Sequence, residues 1–194
     1  MFSRLLPLFM IAILPFACSF NFLGFKKKRD HVAIADEIII RVAKTLCKRH
    51  QMYLISDGGG MMGSVYMVGL GFNIPHLLNE DEARARLVDC AEEMLTAFNT
   101  NEEIRPYLKN YPFTTKNLQL SIVVTTPTGG DVFDPHIGSV SIYESDNIVY
   151  RTEEPNTFVY KKTWREPYSE ALKRVKGKSS SVPIQELPHS SPKK

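Results

Sequence analysis

The spacing of hydrophobic residues along this chain switches several times between the helical and the strand pattern. The order of these patterns restricts the fold. Helical spacing covers His31 to Arg49, Asn79 to Asn99 and Glu166 to Lys176. Strand-type segments are the short apolar run Met52 to Ile55, the alternating segment Ser64 to Phe72 and four later runs. The order αββαββββα predicts an α+β domain, in which two main helices pack on an antiparallel sheet of about six strands.

The four later segments form the second half of the predicted sheet. They are Leu118 to Thr125, Gly138 to Tyr143, Ile148 to Arg151 and Thr157 to Thr163. Short runs rich in turn-forming residues separate the last three segments. Consecutive strands joined by short turns are typically antiparallel neighbours, so these segments are predicted to form a meander.

A glycine-rich stretch, Asp57-Gly58-Gly59-Gly60-Met61-Met62-Gly63-Ser64, has the G-x-G-x-x-G spacing of dinucleotide-binding loops. That fingerprint requires a helix after the loop, whereas a strand-type segment follows here. The P-loop alternative needs a lysine after its last glycine, and Ser64 stands there instead. The stretch therefore predicts a hairpin turn. Met61 and Met62 are expected to fill gaps in the core.

The N-terminus has the pattern of an export signal, because an apolar run from Leu5 to Ala17 follows Arg4. Cys18 after Ala17 resembles the lipobox of bacterial lipoproteins, and this resemblance implies lipidation of Cys18. One alternative is a plain signal cleaved near Ala17. The other is an uncleaved anchor, since the uncharged run to Phe25 is about 20 residues long. The basic cluster that follows would then hold the domain in the cytoplasm.

These patterns divide the chain into four segments. Residues 1–17 are predicted to be a signal peptide or anchor, 18–30 a basic spacer, 31–176 one α+β domain and 177–194 a disordered tail. The predicted location is the cell envelope, either membrane-associated or periplasmic. A net charge of +3 is too small to indicate a nucleic-acid groove. The predicted partners are therefore the membrane, through the N-terminus, and a protein, with no nucleic acid.

The cysteine pattern gives no redox or zinc motif, because the chain contains no C-x-x-C. Cys47 and Cys90 could form a disulfide if the domain is exported. Each lies in a predicted helix beside apolar neighbours, which favours two packed free thiols. No cofactor is predicted.

The most compact cluster of proton- or metal-active residues is Asp131, Asp134 and His136, in a connection between two predicted strands. Two carboxylates and an imidazole suit metal or acid–base chemistry. Asp is also common in turns for backbone reasons, and no further residue completes a metal shell. The cluster is the candidate site if the protein is an enzyme of unknown reaction, and no metal is predicted.

A loop after the second helix offers a candidate binding surface. Arg105, Tyr107, Tyr111 and Phe113 belong to residue types that are enriched at the energetic centres of interfaces. The alternative is that the aromatic residues cover one end of the core.

The segments GGGMMG, EARARLVDCAEE and NEEIRPYLKNYPFTTKNLQL resemble small uncharacterised exported proteins of intracellular bacteria. The resemblance spans Leu54 to Leu120 and implies a bacterial envelope setting without implying an activity. Together, these features predict an exported, membrane-tethered envelope protein that acts as a binding module. The alternatives are the enzyme described above and an anchored protein whose domain faces the cytoplasm.

Overall fold

The structure is a computed structural model that describes residues 30–157 and 159–179. The predicted signal peptide, Cys18, the anchor alternative and nearly all of the basic spacer lie outside these residues, as does the tail from residue 180. None of the helices within the described ranges has both the length and the hydropathy needed to cross a bilayer.

The predicted element order αββαββββα is confirmed. The helices are α1 (His31–His50), α2 (Glu80–Thr100) and α3 (Tyr168–Ser179). The strands are β1 (Tyr53–Gly60), β2 (Met67–Ile74), β3 (Leu118–Val124), β4 (Ser139–Tyr143), β5 (Asn147–Glu153) and β6 (Tyr160–Pro167). Two 3-10 turns, Arg105–Tyr107 and Thr115–Asn117, lie between α2 and β3.

The helix starts follow from local hydrogen bonding. The Asp30 side chain accepts a hydrogen bond from the Val32 amide and caps α1. A capping box begins α2, because Asn79 and Glu82 each bond the other's backbone amide. The last helix differs from the prediction at both ends. It begins two residues later, after β6, and continues to Ser179, into the segment that was predicted to be disordered.

The six strands form one sheet in the order β1-β2-β3-β4-β5-β6. The meander from β3 to β6 is antiparallel, as predicted. The expectation of a wholly antiparallel sheet is wrong for one pair, because β2 and β3 run parallel. Parallel neighbours need a long crossover connection, and α2 together with the loop after it supplies that connection.

The predicted hairpin between β1 and β2 is confirmed, but its turn lies later in the chain than expected. Gly58 to Gly60 belong to β1, and residues 61–66 make the connection, where Gly63 has a positive φ of 73°. A Cβ atom on Gly60 would lie 2.2 Å from the Tyr66 ring, so glycine is needed for that ring to pack. Met61 packs against the core as expected, whereas Met62 is exposed and its prediction is wrong.

All three helices pack on the same face of the sheet. Alternate residues of the central strands point toward the helices and are buried, namely Val68, Leu70, Phe72, Ile74, Leu118, Leu120, Ile122, Val124, Val140, Ile142, Ile148 and Tyr150. Within the described ranges no helix packs on the opposite face. We call that opposite side the open face.

Candidate binding face and adjoining acidic cleft

The open face is formed by the residues that alternate with the core positions. In β2 to β5 these residues are Met67, Gly69, Gly71, Asn73, Gln119, Ser121, Val123, Ser139, Ser141, Tyr143, Val149, Arg151 and Glu153. Most of them are small or polar, and all but Gly71 and Ser141 are at least partly exposed. The face is thus a wide surface of mostly short side chains, few of which are apolar.

A groove of about 350 Å³ crosses the open face over β1, β2 and β3. Gly69 and Ser121 contribute to its lining, and Tyr143 and Gln119 stand beside them. A Cβ atom on Gly69 would lie 2.9 Å from the Gln119 carbonyl oxygen, so a side chain there would collide with the backbone of β3. The depth of the groove therefore depends on a glycine that the close strand pairing also requires.

Tyrosine and arginine side chains rise from the open face beyond the groove. The Arg151 guanidinium lies 5.0 Å from the centre of the Tyr160 ring and donates a 2.9 Å hydrogen bond to Ser141 Oγ. These contacts hold Arg151 flat over Ser141 and explain why that serine is buried. Tyr143 and Tyr160 each keep about half of their surface exposed. Tyrosine and arginine provide much of the binding energy at many interfaces, and serine and glycine commonly surround them in paratopes.

A β-bulge in β6 decides which side chains reach the open face. The register between β5 and β6 shifts after Thr152, and Lys161 is the extra residue. Lys162 therefore stands opposite Thr152 on the helix side, whereas Tyr160 stands opposite Glu153 on the open face. Without the bulge, strict alternation would place Tyr160 and Lys162 on the same side of the sheet.

The same bulge directs two ammonium groups to Asp134. Lys161 Nζ lies 3.3 Å and Lys162 Nζ 3.0 Å from its carboxylate oxygens, and Thr152 Oγ1 donates a 3.1 Å hydrogen bond. The hydrogen bond from Lys162 is the main cause that lowers the pKa of this carboxyl below its usual value, and Thr152 and Lys161 add to the effect. The Asp134 carboxylate is thus fully engaged within the fold.

The three residues of the predicted loop site do not form one site. His136 lines a cavity of about 380 Å³ with Trp164, whereas Asp131 lines a different cavity with Phe133. Asp134 is occupied by the two lysines. In the part of the chain that the structure describes, no group of three or more His, Cys, Asp and Glu side chains is arranged to hold a metal ion.

The cavity beside Asp131 has a volume of about 630 Å³ and adjoins the open face at the β5–β6 end. Its lining consists of Asp131, Phe133, Glu153, Asn156, Thr157, Val159 and Tyr160. We call it the acidic cleft, because the described residues that line it include two carboxylates and no basic residue. Tyr160 belongs to both the cleft and the open face.

The predicted binding loop is partly a core element. Phe113 is buried and its ring stacks on Phe98 with 5.8 Å between centres. Tyr107 is half-buried and stacks on His31 at 5.3 Å. These two aromatic residues cover one end of the core, as the alternative interpretation expected.

The other two residues of that loop form a surface pair. The Arg105 guanidinium lies 5.2 Å from the centre of the Tyr111 ring, and Tyr111 is 53% exposed. A binding role for Arg105 and Tyr111 stays a prediction.

Both cysteines of the domain are free thiols, as predicted. Cys90 is completely buried, and this burial raises the pKa of its thiol, so it is chemically unreactive in the fold. Cys47 is partly exposed and packs against the core.

The sequence reasoning did not single out the open face or the acidic cleft. A signal for the open face was present, because Gln119, Ser121 and Val123 alternate with core residues in β3. The apolar half of that alternation indicates a strand with one buried side, and the polar half indicates an exposed face. The cleft had no such signal, since Asp131 and Glu153 come together only after the β5–β6 hairpin has formed.

The chain matches no protein-family model, no curated protein and no solved structure. The resemblance to exported proteins of intracellular bacteria stays a prediction.

Proposed function

We propose that the chain is a binding module that captures a protein partner on its open face. The observation that carries this proposal is the face itself, which presents a groove lined largely by glycine and serine, the half-exposed Tyr143 at that groove, and Arg151 with Tyr160 further along the face. Tyrosine contributes a large contact area at a low cost in conformational entropy, which suits it to this role.

The rigidity of the face supports the proposal. The residues of the face belong to the paired strands of one six-stranded sheet, so their backbone positions are fixed before a partner arrives. Arg151 is held by two contacts, and Gln119 donates a 2.6 Å hydrogen bond to Glu144. Groups that are already ordered lose less entropy on binding, and this loss is a main cost of association.

The cellular location of this module is also part of the proposal, and it is based on the N-terminal segment. An export signal from Leu5 to Ala17, with lipid on Cys18, would tether the domain to a membrane in the cell envelope. An anchor kept in the membrane would leave the domain in the cytoplasm and would not alter the binding face.

The geometry gives less support to an enzyme that uses Asp131, Asp134 and His136. Their side chains line different cavities or are engaged elsewhere, whereas acid–base chemistry needs groups within hydrogen-bond reach of one substrate.

Photo-crosslinking in the cells that express the protein tests the proposal. p-Benzoylphenylalanine replaces Tyr143 in one variant and Tyr111 in another, since the two tyrosines are 51% and 53% exposed. We expect a discrete crosslinked protein from position 143 and none from position 111. A crosslink from position 111 alone would place the interface on the predicted loop instead.

A second variant separates the groove from general surface contact. Ser121→Trp fills the groove from the open face and leaves the buried face of β3 unchanged. We expect the crosslink from position 143 to disappear, while circular dichroism shows a normal fold. A crosslink that survives this substitution would mean that the groove takes no part in binding.

A further inference from the structure

The geometry points to a specific feature of the partner: the acidic cleft receives an arginine side chain. This inference rests on the proposed function, because the cleft adjoins the open face through Tyr160. It names the chemistry by which a partner lying on that face would be recognised.

The charge of the cleft is the first reason. Asp131 and Glu153 contribute two carboxylates, and within residues 30–157 and 159–179 neither has a hydrogen-bond or ion-pair partner for its side chain. The neighbouring Asp134 differs sharply, because two lysines and a threonine occupy it. The fold thus neutralises one acid of this region and leaves the two that line the cleft uncompensated.

Arg151, two residues before Glu153 in β5, does not neutralise them. Arg151 lies on the same strand and the same face as Glu153, but its guanidinium is held over the Tyr160 ring and by Ser141. It makes no ion pair with Glu153 in the structure.

The aromatic lining is the second reason. Phe133 and Tyr160 line the cleft together with the two carboxylates. Aromatic faces attract cations, and a planar guanidinium can stack on a ring while its N–H groups bond carboxylate oxygens. This combination favours arginine over lysine, whose compact ammonium is strongly hydrated.

Continuity with the open face is the third reason, and it favours a protein side chain over a free small cation. The bulge at Lys161 turns Tyr160 toward the open face opposite Glu153, so one tyrosine joins both surfaces. In β4, Ser139 pairs with Arg151, and Tyr143 lies four residues further along the strand. A polypeptide that runs along the strands from Tyr143 toward Ser139 can therefore place a long side chain into the cleft.

Amide chemical shifts of the full 194-residue chain in detergent micelles test this inference. The probe is the peptide acetyl-Gly-Arg-Gly-amide, and its citrulline counterpart serves as a neutral isostere. We expect saturable, millimolar binding of the arginine peptide with shifts at Asp131, Glu153 and Tyr160, and about tenfold weaker binding of the citrulline peptide. Equal binding of both peptides would overturn the inference.

Paired variants show whether the effect is local. Asp131→Asn with Glu153→Gln removes both cleft carboxylates, whereas Asp36→Asn with Glu102→Gln makes the same charge change at exposed sites elsewhere. We expect about tenfold weaker arginine-peptide binding in the first variant and no change in the second. Equal weakening in both, or tight binding of choline with no response to the arginine peptide, would contradict the assignment.

The experiments can disprove the arginine site and the proposed function independently of each other. If the peptide does not bind while position 143 still crosslinks to a partner, the arginine site is wrong and the binding face stands. If the peptide binds as expected but position 143 yields no crosslink, the cleft is confirmed and the proposed function is wrong.

Discussion

Arg84→Ala is expected to lower the free energy of unfolding by about 3–5 kcal/mol, the cost of breaking a buried ion pair from one side. The Arg84 side chain is only 4% exposed, and it contacts the carboxylates of Glu80, Asp81 and Glu166. Its Nε lies 2.6 Å from Glu166, which also accepts a hydrogen bond from the buried Tyr150 hydroxyl. Removing the guanidinium leaves the nearly buried Glu166 carboxylate with Tyr150 and the exposed Arg174 as its remaining partners.

The protonation state supports this expectation. Burial by itself disfavours the charged guanidinium, but the hydrogen bond to Glu166 and the surrounding negative charges raise the pKa of Arg84 above its ordinary value. Arg84 is therefore charged at neutral pH.

Urea unfolding of Arg84→Ala and Arg49→Ala provides the measurement and its control. Arg49 also bonds two carboxylates, Asp89 at 2.7 Å and Glu93 at 2.9 Å, but its side chain is 42% exposed. We expect a loss of about 0.2–1 kcal/mol for Arg49→Ala, because water screens exposed pairs. Similar small losses for both variants would show that the Arg84 network adds little to stability.

Phe113→Ala is expected to cost about 3–5 kcal/mol, since it removes a buried ring and leaves a cavity. The ring is buried against Phe98, and the Phe113 backbone is held by Asn99 through hydrogen bonds of 2.7 Å and 3.0 Å. These contacts anchor the loop between α2 and β3. The substitution removes the ring contact with Phe98 and keeps the backbone hydrogen bonds with Asn99, so the expected loss comes from the core.

The matched variant is Tyr111→Ala, which changes an exposed aromatic residue two positions away. Its expected cost is within about 0.5 kcal/mol, as for most surface substitutions. Thermal or urea unfolding separates the two. If Phe113→Ala were as mild as Tyr111→Ala, Phe113 would be available for binding, as the loop hypothesis first supposed.

The sequence predicted the elements of this fold because each has a local signal. The helix period of α1 and α2, the capping box at Asn79 and the alternation in β3 all lie within short segments. Element ends were less accurate where β6 runs directly into α3. In that region the strand pairing extends to Pro167 and delays the helix.

The features that the sequence did not predict depend on contacts between distant segments. The parallel pairing of β2 with β3 requires knowledge of where α2 returns the chain. The burial of Arg84 depends on Glu166, which is 82 residues away. The position of Tyr160 depends on the β-bulge in β6. This bulge is defined by how β6 pairs with β5, and the sequence of β6 alone does not indicate it. Local periodicity carries none of this information.

The candidate site illustrates the same limit. Asp131, Asp134 and His136 are close in sequence, and sequence proximity suggested one site. The lysines of β6 occupy Asp134, and the cavities separate the other two. The acidic cleft instead combines Asp131 with Glu153, a residue of the neighbouring hairpin.

The open face is most directly tested by the labelling rate of a cysteine placed on it. In the full chain with Cys18 and Cys47 replaced by Ser, the substitution Ser121→Cys adds one thiol to the groove, and Cys90 remains as the buried reference. We predict that the thiol at position 121 reacts with a maleimide as rapidly as in the urea-unfolded chain, while Cys90 reacts only on unfolding. Protection of position 121 to the level of Cys90 would show that another part of the chain covers the face, and it would contradict a free binding surface there.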